Sequence, residues 1–559
     1  MSNFVHYDED TKIWKSTKDY NKDICGQSIG EIFLKRMRSS NFGKQKVLEI
    51  HHDIAVAKTE EDIYRESVTV AINLTELGIK KGDVILFYSD INPTITPLVM
   101  GSYLIGATVH TFQTKNEDEN DIDNGLQLLD PTLIIYEEVF KSIIMAALQR
   151  IKLHKLKHFV SIDANEDTSS KHLDIKSSLL KNVSLLEIDQ FKCPDLGDTS
   201  KLIASLILTS GSTGKPKAVA LNHARMLHGL SVLWLDLRSP ELIPTTESAM
   251  LFLSNMGWIS QTCSLLYSVL FGVPRICFNQ WPPTGSYCRD IIRQHRVTHI
   301  FGIPEYYNEI LQSVEPSDQS TLASLQLVLL VSDNTSSKII ELSKRRAVNC
   351  TVWRSFGMTE LATGIVSDSE VNGGLLVPGV EIKILDEHGN ALGPLQRGQL
   401  CVRVAAPFHY LKVDRNKTFL PDGFFNTGDY VFVDKNGLLN VLTRYCKLVK
   451  TKDLIIIPSE IESEVSLMDG VLTSSLISYR LGDAFYDSAV LFVVLKQLEE
   501  GANKDLIKAN IENSIKSKLL SRIRLENIHF LEKLPRLYGG KLDEVTLKKI
   551  AKELILINK

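Results

Sequence analysis

Between residues 60 and 200 the chain switches repeatedly between two hydrophobic periods. Residues 61–77 carry apolar side chains at helical spacing and stop before Gly78. Residues 83–88 then read as a buried strand, 93–105 as a helix ending near Gly106, and 132–136 as another strand. The first 50 residues read as a polar lead-in with one helix, 28–37. Short apolar runs at 206–208 and 327–331 suit buried strands, 249–272 is apolar and aromatic, and 377–400 is strand-rich. Near the end, 489–495 predicts a strand and 504–520 and 543–554 predict helices. The acidic run 116–123 predicts an exposed loop or helix start, and the basic run 152–157 a solvated helix face. This alternation predicts an α/β architecture with a largely parallel sheet. There is no internal repeat.

Composition bounds that picture. At 559 residues the chain exceeds one ordinary core, so at least two domains are expected. Apolar content of 44% and charged content of 23% are ordinary for a soluble globular protein, and a formal charge of −4 gives no sign of nucleic-acid binding. The eight cysteines are scattered without paired spacing and read as reduced, buried thiols of an intracellular protein. The polar N-terminus reads as no signal peptide, and no apolar stretch reaches the roughly 20 residues of a membrane span, so no integral membrane segment is expected. A cytoplasmic location follows as the expectation.

Chemistry concentrates after the apolar run 206–208. Four hydroxyl residues (Thr209, Ser210, Ser212, Thr213), two glycines (Gly211, Gly214) and two lysines (Lys215, Lys217) follow it directly. Glycines let backbone N–H groups approach an anion, hydroxyls add donors and lysines add charge, so the stretch suits a phosphate-holding loop. It is not a Walker A loop, because the glycines are too close together and Pro216 follows the lysine. A plain Gly/Ser surface turn has the same composition.

The order of further segments separates those readings. Phe356, Gly357, Thr359 and Glu360 form an aromatic-Gly-x-Thr-Glu pattern, and Phe425, Thr427, Gly428 and Asp429 an aromatic-x-Thr-Gly-Asp pattern. Arg397-Gly398-Gln399-Leu400, His409-Tyr410, an ungapped match from Arg444 through Lys450 to Glu460, and Gly539-Gly540-Lys541 complete the set. Together they resemble the adenylate-forming enzymes: acyl-CoA synthetases, beetle luciferases and the adenylation domains of peptide synthetases. The resemblance implies an α/β fold with a large N-terminal domain of α/β subdomains, including a β-rich part, and a small mobile C-terminal α/β domain. It implies domains at 1–443 and 444–559 with a hinge near 444–450.

It also implies roles. Thr209, Ser210, Gly211, Ser212, Thr213, Gly214 and Lys217 would hold phosphates. Phe356 would stack on adenine, Thr359 would bond the α-phosphate, and Glu360 would hold Mg²⁺. Asp429 would accept from both ribose hydroxyls, and Arg444 would contact the ribose. Lys450 and Lys541 would be catalytic, Lys541 on a mobile glycine loop. The cofactors are ATP, Mg²⁺ and CoA, and the partner is a small-molecule carboxylic acid, with a fatty acid favoured by the apolar stretch 249–272. The implied reaction is acid activation through an acyl-adenylate, then thioester formation with CoA. Phe252 and Trp258 are candidates for the acid pocket or for the core. Several positions depart from the pattern: Ser254 or Asn255 for a gating His, Asp333-Asn334 for a Gly-Gly pair, Cys446 for a charged hinge residue, and Asp453 for a Gly beside CoA. These support an alternative, a nucleotide-binding regulatory relative with weak or lost CoA transfer. The expected cytoplasmic location has a peroxisomal alternative by family analogy, although the chain does not end in Ser-Lys-Leu.

Overall fold

The computed structural model of the chain describes residues 4–39, 45–112, 119–164, 172–209, 217–235, 239–331, 337–369, 373–450, 455–479, 488–496, 504–519, 525–536 and 542–557. Two large mixed sheets carry most of it. The eight-stranded sheet runs His409–Tyr410, Lys217–Asn222, Ile203–Thr209, Thr108–Thr111, Val84–Tyr88, Leu133–Tyr136, His158–Ser161, His172–Asp174. From Ile203–Thr209 onward its neighbours are parallel, while its first two pairings are antiparallel. The nine-stranded sheet has a parallel centre from Thr351–Met358 through Leu327–Val331, His299–Gly302, Met250–Phe252 and Arg275–Cys277 to Val47–His51. Strands such as Leu133–Tyr136 are buried along their whole length, as expected where helices cover both faces.

A six-stranded antiparallel sheet supplies the β-rich part: Val5–Asp8, Ile13–Ser16, Val380–Leu385, Gly398–Val404, Phe425–Val433, Leu439–Arg444. Val380–Leu385 alternates buried and half-buried positions, the pattern of a sheet with one face on a core. Its first two strands correct the expectation of a polar lead-in. They form a hairpin in which Tyr7 stacks on the buried Trp14 at 4.5 Å. Four-residue strands are too short for alternation to register in the sequence.

The predicted helices stand close to their expected bounds. Ile29–Met37 begins with a capping box between Ser28 and Glu31, and Glu60–Glu76 with one between Thr59 and Asp62. Residues 152–157 differ: the helix Lys141–Arg150 has already ended, and the basic run is an irregular link to His158–Ser161. After residue 448 come a two-stranded pair, a three-stranded sheet of Val471–Tyr479, Ser488–Leu495 and Leu525–Leu531, and the helices Pro458–Ser466, Lys504–Leu519 and Glu544–Ile557. Their two apolar clusters draw on residues from Val449 onward, whereas four other clusters use residues up to Val441. The chain thus has a large N-terminal α/β part and a small C-terminal one. Of the eight cysteines, all free, five are buried; Cys193 and Cys350 are half-buried and Cys446 is exposed, which corrects the expectation for those three. No helix among the described residues is long and apolar enough to cross a membrane.

One buried ion pair ties the edge of the nine-stranded sheet. Arg275 and Glu49 are register partners in adjacent parallel strands, their side chains 2.6 Å apart and almost fully buried. Burial alone would push the Glu49 carboxyl up; Arg275, His51 and Thr96 reverse this and hold it at about 2. A depressed carboxyl contributes stability above its unfolded value, and that contribution is lost as pH falls toward about 2. Arg275→Met leaves a buried, unpaired carboxylate and is expected to cost about 3–5 kcal/mol. Urea unfolding checks this; a midpoint within error of wild type would remove the pair from the sheet's stability.

Candidate active site

The two ends of the proposed phosphate loop meet on the eight-stranded sheet. Thr209 and Lys217 face each other across the antiparallel pairing, and the Thr209 hydroxyl donates to the Lys217 carbonyl at 3.4 Å. Ser210, Gly211, Ser212, Thr213 and Gly214 lie between them, outside the described residues, as do Asp333, Asn334, Asp453, Gly539, Gly540 and Lys541. Around Lys541, Arg536 and Leu542 pair in an antiparallel bridge, and the Arg536 guanidinium meets Glu305 at 2.7 Å.

The short strand His409–Tyr410 adds itself outside Lys217–Asn222, with Tyr410 opposite Val219. This puts the Lys217 ammonium 5.3 Å above the Tyr410 ring. Tyr410 Oη donates to Glu360 Oε1 at 2.6 Å. Burial, reinforced by that carboxylate, pushes the phenol far above its ordinary value, so it stays a donor. Glu360 stands in the turn Thr359–Leu361, directly after the strand Thr351–Met358. The turn ends at Ala362 with φ 57°, and the helix His223–Val232 passes close behind it at Gly229. A Cβ there would lie 2.9 Å from the Ala362 carbonyl oxygen, so glycine is required by space. Phe356, in the same strand, is half-buried against the core of the six-stranded sheet.

The third contribution comes from that six-stranded sheet. Asp429 and Arg444 are cross-strand partners. Arg444 Nε meets Asp429 Oδ1 at 3.2 Å, and Arg444 Nη1 donates to the Thr427 carbonyl at 3.0 Å. Gly428, between Thr427 and Asp429, has φ 76°, a backbone that glycine adopts without strain. Asp429 is 2% exposed. Burial raises its carboxyl, Arg444 opposes this, and the negative charge of Glu360 adds to the rise, so the two carboxylates share one field. The Lys447 charge also reaches Asp429. The structure therefore gathers Thr209, Lys217, Glu360, Asp429 and Arg444 with Tyr410. The His409-Tyr410 pair was visible as a motif, but its partner on Glu360 was not. Lys450 donates to Tyr445 Oη at 3.2 Å and lies 4.9 Å over that ring. Among the described residues no group of three His, Cys, Asp or Glu could hold a metal alone. Among the described residues only one Glu360 oxygen has a hydrogen-bond partner, which fits Mg²⁺ held by one carboxylate with water and substrate phosphates.

The segment 249–272 resolves into the strand Met250–Phe252, a loop and the helix Ile259–Phe271. Phe252 is buried and stacks on Phe301 at 4.9 Å, a core role, and Trp258 packs half-buried against the second core cluster. Ser254 Oγ, Asn255 Nδ2 and Ser260 Oγ are buried without hydrogen-bond partners. His223 begins the helix His223–Val232, and its ring is only half satisfied: Nδ1 accepts from the Ile29 N–H at 3.2 Å and Nε2 has no partner among the described residues. Burial pushes that imidazole down to about 4.

Among the described residues the two mixed sheets and the antiparallel one bring Glu360 and Asp429 into one field. The family model described as AMP-binding enzyme matches residues 49–409, and the chain belongs to that family. Acyl-CoA synthetase 7 of Caenorhabditis elegans is 26% identical over 499 residues, covering 85% of this chain and 86% of the relative. The anthranilate CoA ligase AuaEII in complex with anthranoyl-AMP matches with a TM-score of 0.80 at 19% identity, over 95% of this chain and 98% of that one. The luciferase-like enzyme from the nonluminescent mealworm Zophobas morio matches with a TM-score of 0.67 at 22% identity, over 76% and 97%.

Arg444→Ala tests the carboxylate pair without any ligand. Asp429 should titrate at higher pH than in wild type, because the opposing positive charge is gone. A folded-state value raised above the unfolded one makes stability fall as pH rises through that range. A carbon-detected titration of Asp429 reads the midpoint directly, and an unchanged midpoint would separate Arg444 from it.

Proposed function

We propose that the chain is an AMP-forming acid–CoA ligase that activates a fatty acid. The observation that carries the reading is the division of labour between the two carboxylates. Asp429, anchored by Arg444, keeps two acceptor oxygens suited to the ribose hydroxyls of ATP. Glu360, anchored by Tyr410, faces the phosphates instead. Phe356 stacks on adenine, Thr359 donates to the α-phosphate, and Thr209, Ser210, Gly211, Ser212, Thr213, Gly214 and Lys217 cradle the rest. Mg²⁺ on Glu360 supplies charge neutralisation between phosphate oxygens when bound.

An oxygen of the substrate carboxylate attacks the α-phosphorus, and the bond to pyrophosphate breaks. Both reactants are anions, so donors fixed in advance must offset the charge; the loop residues and Lys541 do this. CoA thiolate then attacks the acyl carbonyl, AMP leaves with its electron pair, and the thioester is released. Residues 444–559 turn about the segment 444–450 between the half-reactions, with Lys450 in the hinge. The separate apolar clusters before and after residue 448 support that boundary. The acid's tail follows the apolar stretch 249–272. Its carboxylate end meets the unpaired donors of Ser254, Asn255 and Ser260 at the head of the helix Ile259–Phe271, which has no side-chain cap. Acid-dependent ATP–pyrophosphate exchange over a panel of acids tests the first half-reaction, and thioester formation with CoA the second. Exchange with no acid tried would turn the reading toward a nucleotide-binding regulatory protein.

Glu360→Gln keeps shape and loses charge. Adenylation should then require more Mg²⁺ while metal-free ATP affinity stays similar; superimposable metal titrations would remove Glu360 from the metal site. Lys541→Ala should slow acyl-adenylate formation by roughly 10²-fold, the scale for losing one preorganised charge stabiliser. Unchanged single-turnover adenylation in this variant would sink the role of Lys541.

A further inference from the structure

Arg225 is a cation in an unusual position. It is 1% exposed, in the first turn of the helix His223–Val232, and it makes no ion pair among the described residues. Its Nη2 donates to His228 Nδ1, and its Nε–H has no partner. His228 Nε2 in turn lies 2.7 Å from the Pro378 carbonyl, to which it must donate. A ring that accepts on Nδ1 and donates on Nε2 is neutral, so it brings no charge to the guanidinium. Cys25 lies within the field of Arg225, but burial pushes that thiol up, so it too is neutral. Buried charges are ordinarily paired, and this one is not.

The space beside it explains what could complete it. Arg225 and His228 floor a pocket of about 200 Å³ whose lining includes Tyr20, Lys22, Cys25 and Ser200. Lys22 and Ser200 are exposed at its mouth, and the Lys22 ammonium lies 5.9 Å over the Tyr20 ring. The pocket is smaller than the roughly 300–1,000 Å³ of organic-ligand sites, yet several times the ~30 Å³ share of one water. It is also separate from the phosphate loop. The strand Lys217–Asn222 carries the loop at one end and this helix at the other, and its five steps span about 16 Å.

We propose that this pocket binds a phosphate-like oxyanion, a second anion site remote from the nucleotide. Arg225 gives a buried, directional donor fork, Lys22 a second positive charge at the entrance, and the Tyr20 hydroxyl a neutral donor, while the Ser200 hydroxyl is already given to Asp198. The lining holds two cations and no carboxylate of its own, Asp198 lying behind Ser200, and this suits a dianion better than a monoanion.

Calorimetric titration with inorganic phosphate at constant ionic strength tests this, with acetate as the monoanionic arm. Wild type should bind phosphate more tightly than acetate. Arg225→Met should weaken phosphate binding at least about tenfold, the scale of a charged hydrogen bond. Lys22→Ala, at an exposed position where folding is not at stake, should weaken it by about two- to fivefold. Lys217→Ala, at the phosphate loop, should leave this component intact. The site is refuted by isotherms of the Lys22 variant that superimpose on wild type, by loss with Lys217→Ala alone, or by acetate binding as tightly as phosphate. If Arg225→Met fails to fold by circular dichroism, the Lys22→Ala isotherm decides.

Discussion

Two negative charges that share one field organise this active site. Glu360 contributes to the raised carboxyl of Asp429, although the two belong to different sheets. Left alone, such a pair would repel each other and any triphosphate. Each is instead held by its own partner: Tyr410 on Glu360, Arg444 on Asp429. Those partners come from sheet pairings rather than from loops. Tyr410 arrives because a two-residue strand extends the eight-stranded sheet, and Arg444 because it is the register partner of Asp429. Glu360 follows the last residue of a strand in the nine-stranded sheet. Three sheets thus converge on one place, and the two ends of the proposed phosphate loop are fixed there by a third pairing, Thr209 to Lys217.

Much of this was legible in the chain. Apolar runs such as 132–136 and 327–331 became parallel strands within a residue or so, since both faces of such strands must be apolar. Helix starts at Ser28 and Thr59 carried their own capping chemistry. Asp429 and Arg444, each read as a ribose contact, stand opposite one another in adjacent strands. Glycine positions read as stops also stand, with Gly78 at φ 75° and Gly106 at φ 74°.

What escaped the sequence depends on contacts between distant residues. The hairpin of Val5–Asp8 and Ile13–Ser16 is stable only because Val380–Leu385 pairs with it and Trp14 is covered. No local period announces that. Tyr410 and Glu360 are fifty residues apart, and their bond needs two sheets to be assembled first. Arg225 carries no local sign of its burial, which comes from the segment before Gly26 and the loop after Val404. Phe252 was open between pocket and core on its sequence, and the stack on Phe301 makes it core.

Burial and a charged partner do not by themselves mark function, and the contrast between two ion pairs shows why. Glu49 and Asp429 are both buried acids facing an arginine. Arg275 has a side chain only 5% exposed, and it is joined on Glu49 by Thr96 and His51, so the carboxyl is held at about 2. Arg444 is 48% exposed and shares its guanidinium with the Thr427 carbonyl, so burial prevails and Asp429 is raised. The first pair is closed off from solvent and serves the sheet. The second is under-compensated on one open side, where solvent now screens it. A hydroxyl-bearing ligand arriving on that side adds donors that the carboxylate lacks, and it lets the charge persist in a dry site. The incomplete pairing of Asp429 is therefore what suits it to the proposed binding role, as the enclosed pairing of Glu49 suits it to a structural one.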